Sequence, residues 1–319
     1  AGEATVSTLL ATQPAAPRAL LWEPLCVAAL NTPADIASAS VFVEVLRRSF
    51  LGERSDSDLI IPSADLSQLF PVPALAEVAG QGSEVTLGTA VRGVRVERAP
   101  VGRTRYVLDV GDREHAFEQL VIATGPQHVA RLLSPLVSNP VAVDALGNQA
   151  VTACEQVMKT LQCLTYEPIT TIHFEFLHRG AVRSHPAQVL EHAAMLMLDG
   201  QPGQWLFWHR LASGHWRASV VISAHRRTED ARSLVDVALR QLRAAWNVPA
   251  PVWQTVVTEK RATYACTPAN VAALKRLPTA AGHLHFAGDW TYPTLPATLE
   301  AAVISGERAA HAIINEKTQ

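Results

Sequence analysis

Asp289 follows Gly288 at the end of the stretch His285, Phe286 and Ala287, where a strand should give way to a loop. A carboxylate placed at a strand end can accept hydrogen bonds from a polyol. Leu295, Pro296, Ala297, Thr298, Leu299 and Glu300 then lead into an alanine-rich run that reaches Ile314. This run predicts a helix starting near Ala297. The first N–H groups of a helix lack partners and its dipole is positive at that end, which suits a phosphate. Gly306 with Ala301, Ala302, Ala309 and Ala310 would let the helix lie close to a sheet. A strand, loop and helix with no ligand is the plainer reading of the same residues.

Other chemistry is sparse. Glu23, Asp56 and Asp58 are isolated acids that could donate a proton, although Asp56 and Asp58 equally suit turn caps in a polar loop. A nucleophile elbow, a zinc-binding histidine pair and a phosphate loop with its lysine are all missing from the sequence, which argues against ordinary hydrolysis. The four cysteines, Cys26, Cys154, Cys163 and Cys266, form no close pair and read as reduced thiols of a cytoplasmic protein. His283 and His285 alternate along a strand and share one side, but without a third ligand they point to a structural role. Trp205, Phe207, Trp208 and Trp216, with Trp22 and Phe70 elsewhere, suit either a tunnel for an apolar chain or ordinary core. Lys260 and Arg261 read as a solvated or salt-bridged pair.

Periodicity supplies the elements that must position these groups. Residues 18–50 read as helical, with Thr32 and Pro33 as the start signal for the face Val41, Phe42, Val45, Leu46 and Phe50. A short helix is predicted over 74–79. Strands follow at 85–87, 91–96, 106–110 and 120–124, and the alternation from Arg95 to Asp109, broken at Pro100, Val101 and Gly102, predicts a hairpin meander. Gly125 and Pro126 then turn the chain into a helix through Ala130, Leu132 and Leu133. Beyond residue 140 the pattern predicts strands at 170–176, 189–198, 204–209 and 217–223, an amphipathic helix over 229–246 and a strand at 252–258.

With 319 residues the chain has room for two domains or one large one. Hydrophobic residues at 48% against 18% charged mark a globular protein, and a net charge of −2 implies no general affinity for nucleic acid. No apolar run reaches the roughly 18–20 residues that span a bilayer. Residues 1–11 lack the basic start and apolar core of a signal peptide.

The string from Leu284 to Ala310 resembles the C-terminal FAD-closing segment of the flavin amine oxidase and phytoene desaturase superfamily. Leu21 to Pro33, Asp58 to Pro62 with Asp65, Leu66 and Ser67, and Lys260 to Ala265 resemble one branch of it, the squalene-associated hydroxysqualene dehydroxylases. The resemblance implies an α/β (α+β mixed) fold, an incomplete Rossmann-like FAD-binding domain joined to a substrate domain of mixed sheet and helices. It implies a helical part of the substrate domain at 1–80, FAD-binding portions at 81–139 and 252–319, and the rest of the substrate domain at 140–251. The strand at 252–258 would then lead back to the FAD-side sheet. By the same resemblance the backbone of Val91 meets the adenine, and Gly125, Gly288, Asp289, Pro296, Ala297 and Thr298 contribute to the flavin nucleotide site. The implied reaction is reduction of hydroxysqualene to squalene by reduced FAD, with Glu23 and Asp58 as candidate catalytic acids.

The glycine-rich turn that opens FAD-binding enzymes of this kind is missing. Gly80, Gln81 and Gly82 come nearest, but they precede a predicted strand instead of following one. The chain is therefore expected to be roughly the C-terminal three-quarters of a longer enzyme. That leaves FAD retention by this chain open. A carotenoid desaturase, a flavin amine oxidase and a lipid-binding protein without FAD stand as alternatives. A squalene-sized substrate also implies peripheral contact with the inner membrane, and the oligomeric state is left open.

Overall fold

The computed structural model describes residues 3–58, 60–62, 64–98, 104–178, 195–198, 203–225 and 230–318. Its strands are β1 (Val91–Arg98), β2 (Thr104–Val110), β3 (Arg113–Phe117), β4 (Leu120–Ile122), β5 (Tyr166–Phe176), β6 (Met195–Met197), β7 (Trp205–Arg210), β8 (Trp216–Ser223), β9 (Trp253–Tyr264), β10 (Ala280–Ala281) and β11 (Leu284–Phe286). Contacts divide the chain into two compact units, one of residues 1–43 and 165–270, the other of residues 44–164 and 271–319. The expected domain joints were 80/81, 139/140 and 251/252, so residues 252–270 fall in the first unit and 44–80 and 140–164 in the second.

The first unit is built on an antiparallel sheet of order β6-β7-β8-β5-β9. Alternation along β5 sends Ile172, Phe174 and Phe176 to one face, where Ala218, Val220 and Ile222 of β8 and Leu206 and Trp208 of β7 join them. The helix Ala231–Ala245 closes that face with Leu234, Val235, Ala238 and Leu242. Asp230 caps it by accepting the N–H groups of Arg232 and Ser233, both at 2.9 Å. Trp208 packs against Phe176, Trp216 and Trp246 with ring centroids about 6 Å apart, which makes it core. The predicted helix start at 229 and the stretch 189–194 lie outside the described residues.

Strand β9 does not lead to another sheet, as expected of it. It pairs with β5 from Glu175↔Trp253 to Tyr166↔Tyr264. The free edge of β5 accepts it, and Val256 comes down beside the buried Ile172.

The helix expected over 18–50 is also divided. A π-helical turn Arg18–Trp22 runs into the helix Glu23–Leu30, which ends at Asn31 in the left-handed conformation with φ 46°. Asn31 can hold that strained position because its amide donates to Thr263 Oγ1 at 2.9 Å and accepts the N–H of Ala224 at 2.7 Å. The Thr32 hydroxyl accepts the Cys266 N–H at 2.9 Å, so Thr32 anchors a loop instead of starting a helix. The next helix, Ala39–Phe50, begins where Ser38 offers its hydroxyl to the Val41 N–H.

In the second unit β1 and β2 form the expected antiparallel hairpin, and β3, which the sequence did not suggest, extends it to a three-stranded meander. Val85, Thr86 and Leu87 do not form the strand expected of them. Gly88 turns the chain at φ 70° immediately after them, and Leu87 is exposed with nothing to pair against. The helix Pro126–Val137 lies on β1 and buries Val129, Leu132, Leu133 and Leu136. Strand β4 pairs in parallel with β11, and β10 flanks β11 in the antiparallel sense. The chain ends on the helix Leu299–Thr318.

Candidate functional site

Strands β4 and β11 run parallel, so their carboxyl ends open on the same side. In open α/β sheets that is where ligands bind. The ladder continues one residue further, with the Ala287 N–H donating to the Ile122 carbonyl at 3.0 Å. Gly288 then adopts φ 130° and ψ 162°, a region essentially confined to glycine. A Cβ there would stand 2.7 Å from Trp290 Nε1. Trp290 is fully buried, packs against Phe286 and donates its indole N–H to the Thr124 carbonyl at 3.1 Å. The Gly288 N–H donates to the buried hydroxyl of Ser305 at 2.7 Å, which fixes the loop to the C-terminal helix.

Two polar side chains stand at this strand end. Asp289 Oδ1 accepts the Trp290 N–H at 2.9 Å, and the backbone N–H of Asp289 itself also bonds to the carboxylate. Burial raises the Asp289 pKa above the usual carboxylate value, and the Trp290 N–H only partly opposes it. The Thr124 hydroxyl is buried and without a hydrogen bond among the described residues. An acceptor on Asp289, a donor on Thr124 and a glycine that keeps side-chain atoms away suit a hydroxylated, phosphorylated ligand. The donor set thus fits the ribityl and pyrophosphate portion of a flavin nucleotide.

The helix that follows differs from its expected form. It starts at Leu299, not near Ala297, because the Thr298 hydroxyl caps it by accepting the Ala301 N–H at 3.2 Å. Glu300 sits in its first turn and offsets the dipole, so this terminus is less suited to a phosphate than expected. Pro296 is buried, and its carbonyl accepts the Thr298 hydroxyl at 3.2 Å. Gly306 has open space where its Cβ would stand, and Ala310 is exposed. The packed face is Ala301, Ser305 and Ala309. Ser305 was missed in the sequence, although its place four residues from each buried alanine was a usable signal.

Of the remaining residues implied for the nucleotide site, Gly125 follows Thr124 and caps the helix Pro126–Val137, which places it beside the Trp290 contact. Val91 stands half-buried at the start of β1, in the unit's other three-stranded sheet, opposite Val110 and next to a register shift. Three residues beyond Asp289, the Tyr292 hydroxyl accepts Arg48 Nη2 at 3.1 Å and Arg308 lies over its ring at 4.5 Å. Arg48 is held in turn by Glu44 at 2.8 Å. His283 and His285 both face Glu316, at 3.1 and 3.6 Å, and no metal-binding group of three occurs among the described residues.

The two candidate acids fall in different units. Asp58 is exposed and ends the turn Arg54–Ser57 by donating its N–H to the Ser55 carbonyl at 3.1 Å, while Asp56 accepts the Glu53 N–H at 2.9 Å. Both fill turn-capping places. Glu23 lies in the first unit, on the wall of a cleft of about 720 Å³, with Oε1 3.2 Å from Arg18 Nε. Trp205 and Met197 of the sheet line the same cleft. Lys260 is exposed, and Arg261 stacks over the Tyr166 ring at 5.5 Å.

Residues 67–314 match the family model described as flavin containing amine oxidoreductase. A hydroxysqualene dehydroxylase of Rhodopseudomonas palustris is 30% identical over 301 residues, 91% of this chain and 61% of that protein. One from Sinorhizobium fredii is 28% identical, over 93% of this chain and 62% of its own length. The chain thus spans less than two thirds of these relatives. Among solved structures, a putrescine oxidase redesigned for cofactor binding superimposes with a TM-score of 0.72 at 15% identity, covering 99% of this chain and 68% of that one. At that identity the likeness speaks for the fold alone.

Proposed function

The chain belongs to the flavin-containing amine oxidoreductase family, and from that membership we propose that it carries most of an FAD-dependent oxidoreductase that reduces hydroxysqualene to squalene. The observation that carries this reading is the strand end at Gly288 and Asp289, where the part-buried Asp289 carboxylate and the unpaired Thr124 hydroxyl stand just beyond the ends of β11 and β4. The names borne by the two relatives above point to the substrate.

When bound, reduced flavin would supply the hydride. The reaction then needs a C–O bond to break, a proton to reach the departing hydroxyl, and water to leave as hydride takes its place on carbon. Asp289 would hold ribityl hydroxyls, and Thr124 would donate to a neighbouring oxygen. Gly288 keeps the backbone close to the ligand, and Trp290 and Ser305 fix that backbone. Domain roles follow: the second unit holds the flavin nucleotide and the first the isoprenoid.

The substrate resides in a bilayer, and the reading therefore includes peripheral membrane contact. No helix among the described residues is long and apolar enough to cross a membrane. Exposed Ile60, Leu66, Leu69 and Phe70 of the second unit would supply the contact.

The test is the visible absorbance of the purified chain with and without added FAD, followed by product analysis. Flavin bands that survive gel filtration, and squalene formed from hydroxysqualene under reducing conditions by the full-length enzyme, are expected. A chain that never takes up FAD, or an enzyme that desaturates phytoene and leaves hydroxysqualene untouched, would overturn the reading.

A further inference from the structure

We propose that the cleft of the first unit binds an isoprenoid alcohol, its hydrocarbon chain lying along Leu20, Val27, Met197 and Trp205 and its hydroxyl resting on the Glu23 carboxylate. This deepens the isoprenoid reading above and rests on it.

Two surfaces make the cleft, and both are built for an apolar occupant. Leu20, Glu23 and Val27 lie three and four residues apart and so share one helical face. Opposite them, Met197 of β6 pairs directly with Trp205 of β7. Their side chains leave the sheet on the face away from the core residues Leu206 and Trp208, because successive residues of a strand alternate. The sheet's second face therefore carries large apolar side chains with no helix of the core cluster to bury them. The volume, about 720 Å³, lies within the range of about 300–1,000 Å³ typical of small-molecule sites.

The polar residues of the lining are Ser7, Glu23, Asp35 and Gln204. Asp35 is exposed, whereas Glu23 is half-buried with Arg18 at 3.2 Å. Arg18 begins the π-helical turn Arg18–Trp22, which runs directly into Glu23. Single π-turns inside helices occur often at functional sites. The neighbouring Cys26 thiol is pushed up to about 12 by burial and by the negative charge of Glu23. It stays a neutral thiol and donates to the Thr32 carbonyl, outside the lining of the cleft. An alcohol can donate to a carboxylate and a hydrocarbon cannot, so the cleft should tell the two apart.

The experiment is equilibrium partition of radiolabelled hydroxysqualene and squalene from a cyclodextrin carrier onto the 319-residue chain without flavin. The chain should take up both lipids and prefer the alcohol by about tenfold, the ratio set by one hydrogen bond to a charged group that is half open to solvent. Met197→Trp adds bulk at a half-exposed edge position and should cut uptake of both lipids by about tenfold. Glu23→Leu should abolish the preference, with squalene taken up at least as well as by the parent. Failure to bind either lipid, or full binding by Met197→Trp, overturns the cleft assignment. A preference that survives Glu23→Leu overturns the role of the carboxylate. Because flavin takes no part, an enzyme that oxidises its substrate would refute the reductive reading and leave the binding result standing.

Discussion

The indole N–H of Trp290 reaches the Thr124 carbonyl at 3.1 Å across 166 residues of sequence, and this bond ties the end of β4 to the loop that follows β11. Neither strand exceeds three residues, so their short parallel ladder depends on such ties. Trp290→Phe keeps most of the buried ring and deletes the donor. It should cost about 1–3 kcal/mol, the penalty for leaving a buried carbonyl unpaired. Urea unfolding checks this, and a midpoint equal to the parent's would reduce Trp290 to a space-filler.

Gly288→Ala should be worse for binding than for folding. The φ of 130° adds about 1–3 kcal/mol of backbone strain, and the new methyl would stand 2.7 Å from Trp290 Nε1. The indole must then move, and with it the Thr124 contact. We expect a lowered melting temperature and FAD uptake reduced at least about tenfold, which corresponds to roughly 1.4 kcal/mol. Uptake equal to the parent's would show that the ligand does not approach this backbone.

The strand-loop-helix at the C-terminus was legible because its signals are local: an apolar strand, a glycine-acid pair and an alanine-rich run. Its finer chemistry was not. The Thr298 cap and the Glu300 charge decide where the helix starts, and both act through single side chains that periodicity cannot weigh. The pairing of β9 with β5 was misjudged because strand partners are chosen by tertiary packing, here of Val256 beside Ile172. The break at Asn31 was hidden for a similar reason. Its left-handed conformation is stabilised by Thr263 and Ala224, each about 190 or more positions away. Alternation in β7 was readable and would have separated Trp208 from Trp205. Only the structure shows which face of that strand is core and which lines a cleft.

Asp289 should impose a pH dependence of definite sign. Burial raises its pKa in the folded state, so the folded chain binds this proton more tightly than the unfolded one. The associated stability is fully present below about 3.9, the value of an unperturbed aspartate. It is lost as pH rises through the raised folded value. Asp289→Asn should flatten this slope, be at least as stable as the parent near neutrality, and bind FAD more weakly. Unfolding free energies measured across a pH series decide it, and identical slopes in both proteins would remove burial of Asp289 as the cause.

Glu44 should act in the opposite direction. Hydrogen bonds from Arg47 and Arg48 lower its pKa from the ordinary 4.5 to about 2. Its stabilising effect is present above the unfolded value and is lost as pH falls through about 2. Glu44→Gln should shift the acid-unfolding midpoint upward at low salt and less at high salt, because the carboxylate is still open enough to solvent to be screened. Loss of Glu44 also frees Arg48 from one of its two anchors, so the hydrogen bond to the Tyr292 hydroxyl should weaken. An acid transition identical in parent and variant would leave the Glu44 ion pairs without a role in stability.

Membrane contact makes the last prediction, and charge gives it a direction. Residues 51–90 present no buried side chain among those described, and Ile60, Leu66, Leu69 and Phe70 are 57–90% exposed. Apolar side chains so placed can enter a bilayer interface at about 25 cal/mol per Å² buried. The same stretch carries Glu53, Asp56, Asp58, Asp65, Glu77 and Glu84 against Arg54 alone. An acidic segment is repelled by anionic lipid. The chain should therefore sediment with neutral phosphatidylcholine vesicles and less with vesicles rich in phosphatidylserine. The double variant Ile60→Glu and Phe70→Glu should stay in solution with both. Sedimentation of the double variant equal to the parent's would exclude this face as the contact, and full retention of the parent in the supernatant would exclude membrane contact for these residues.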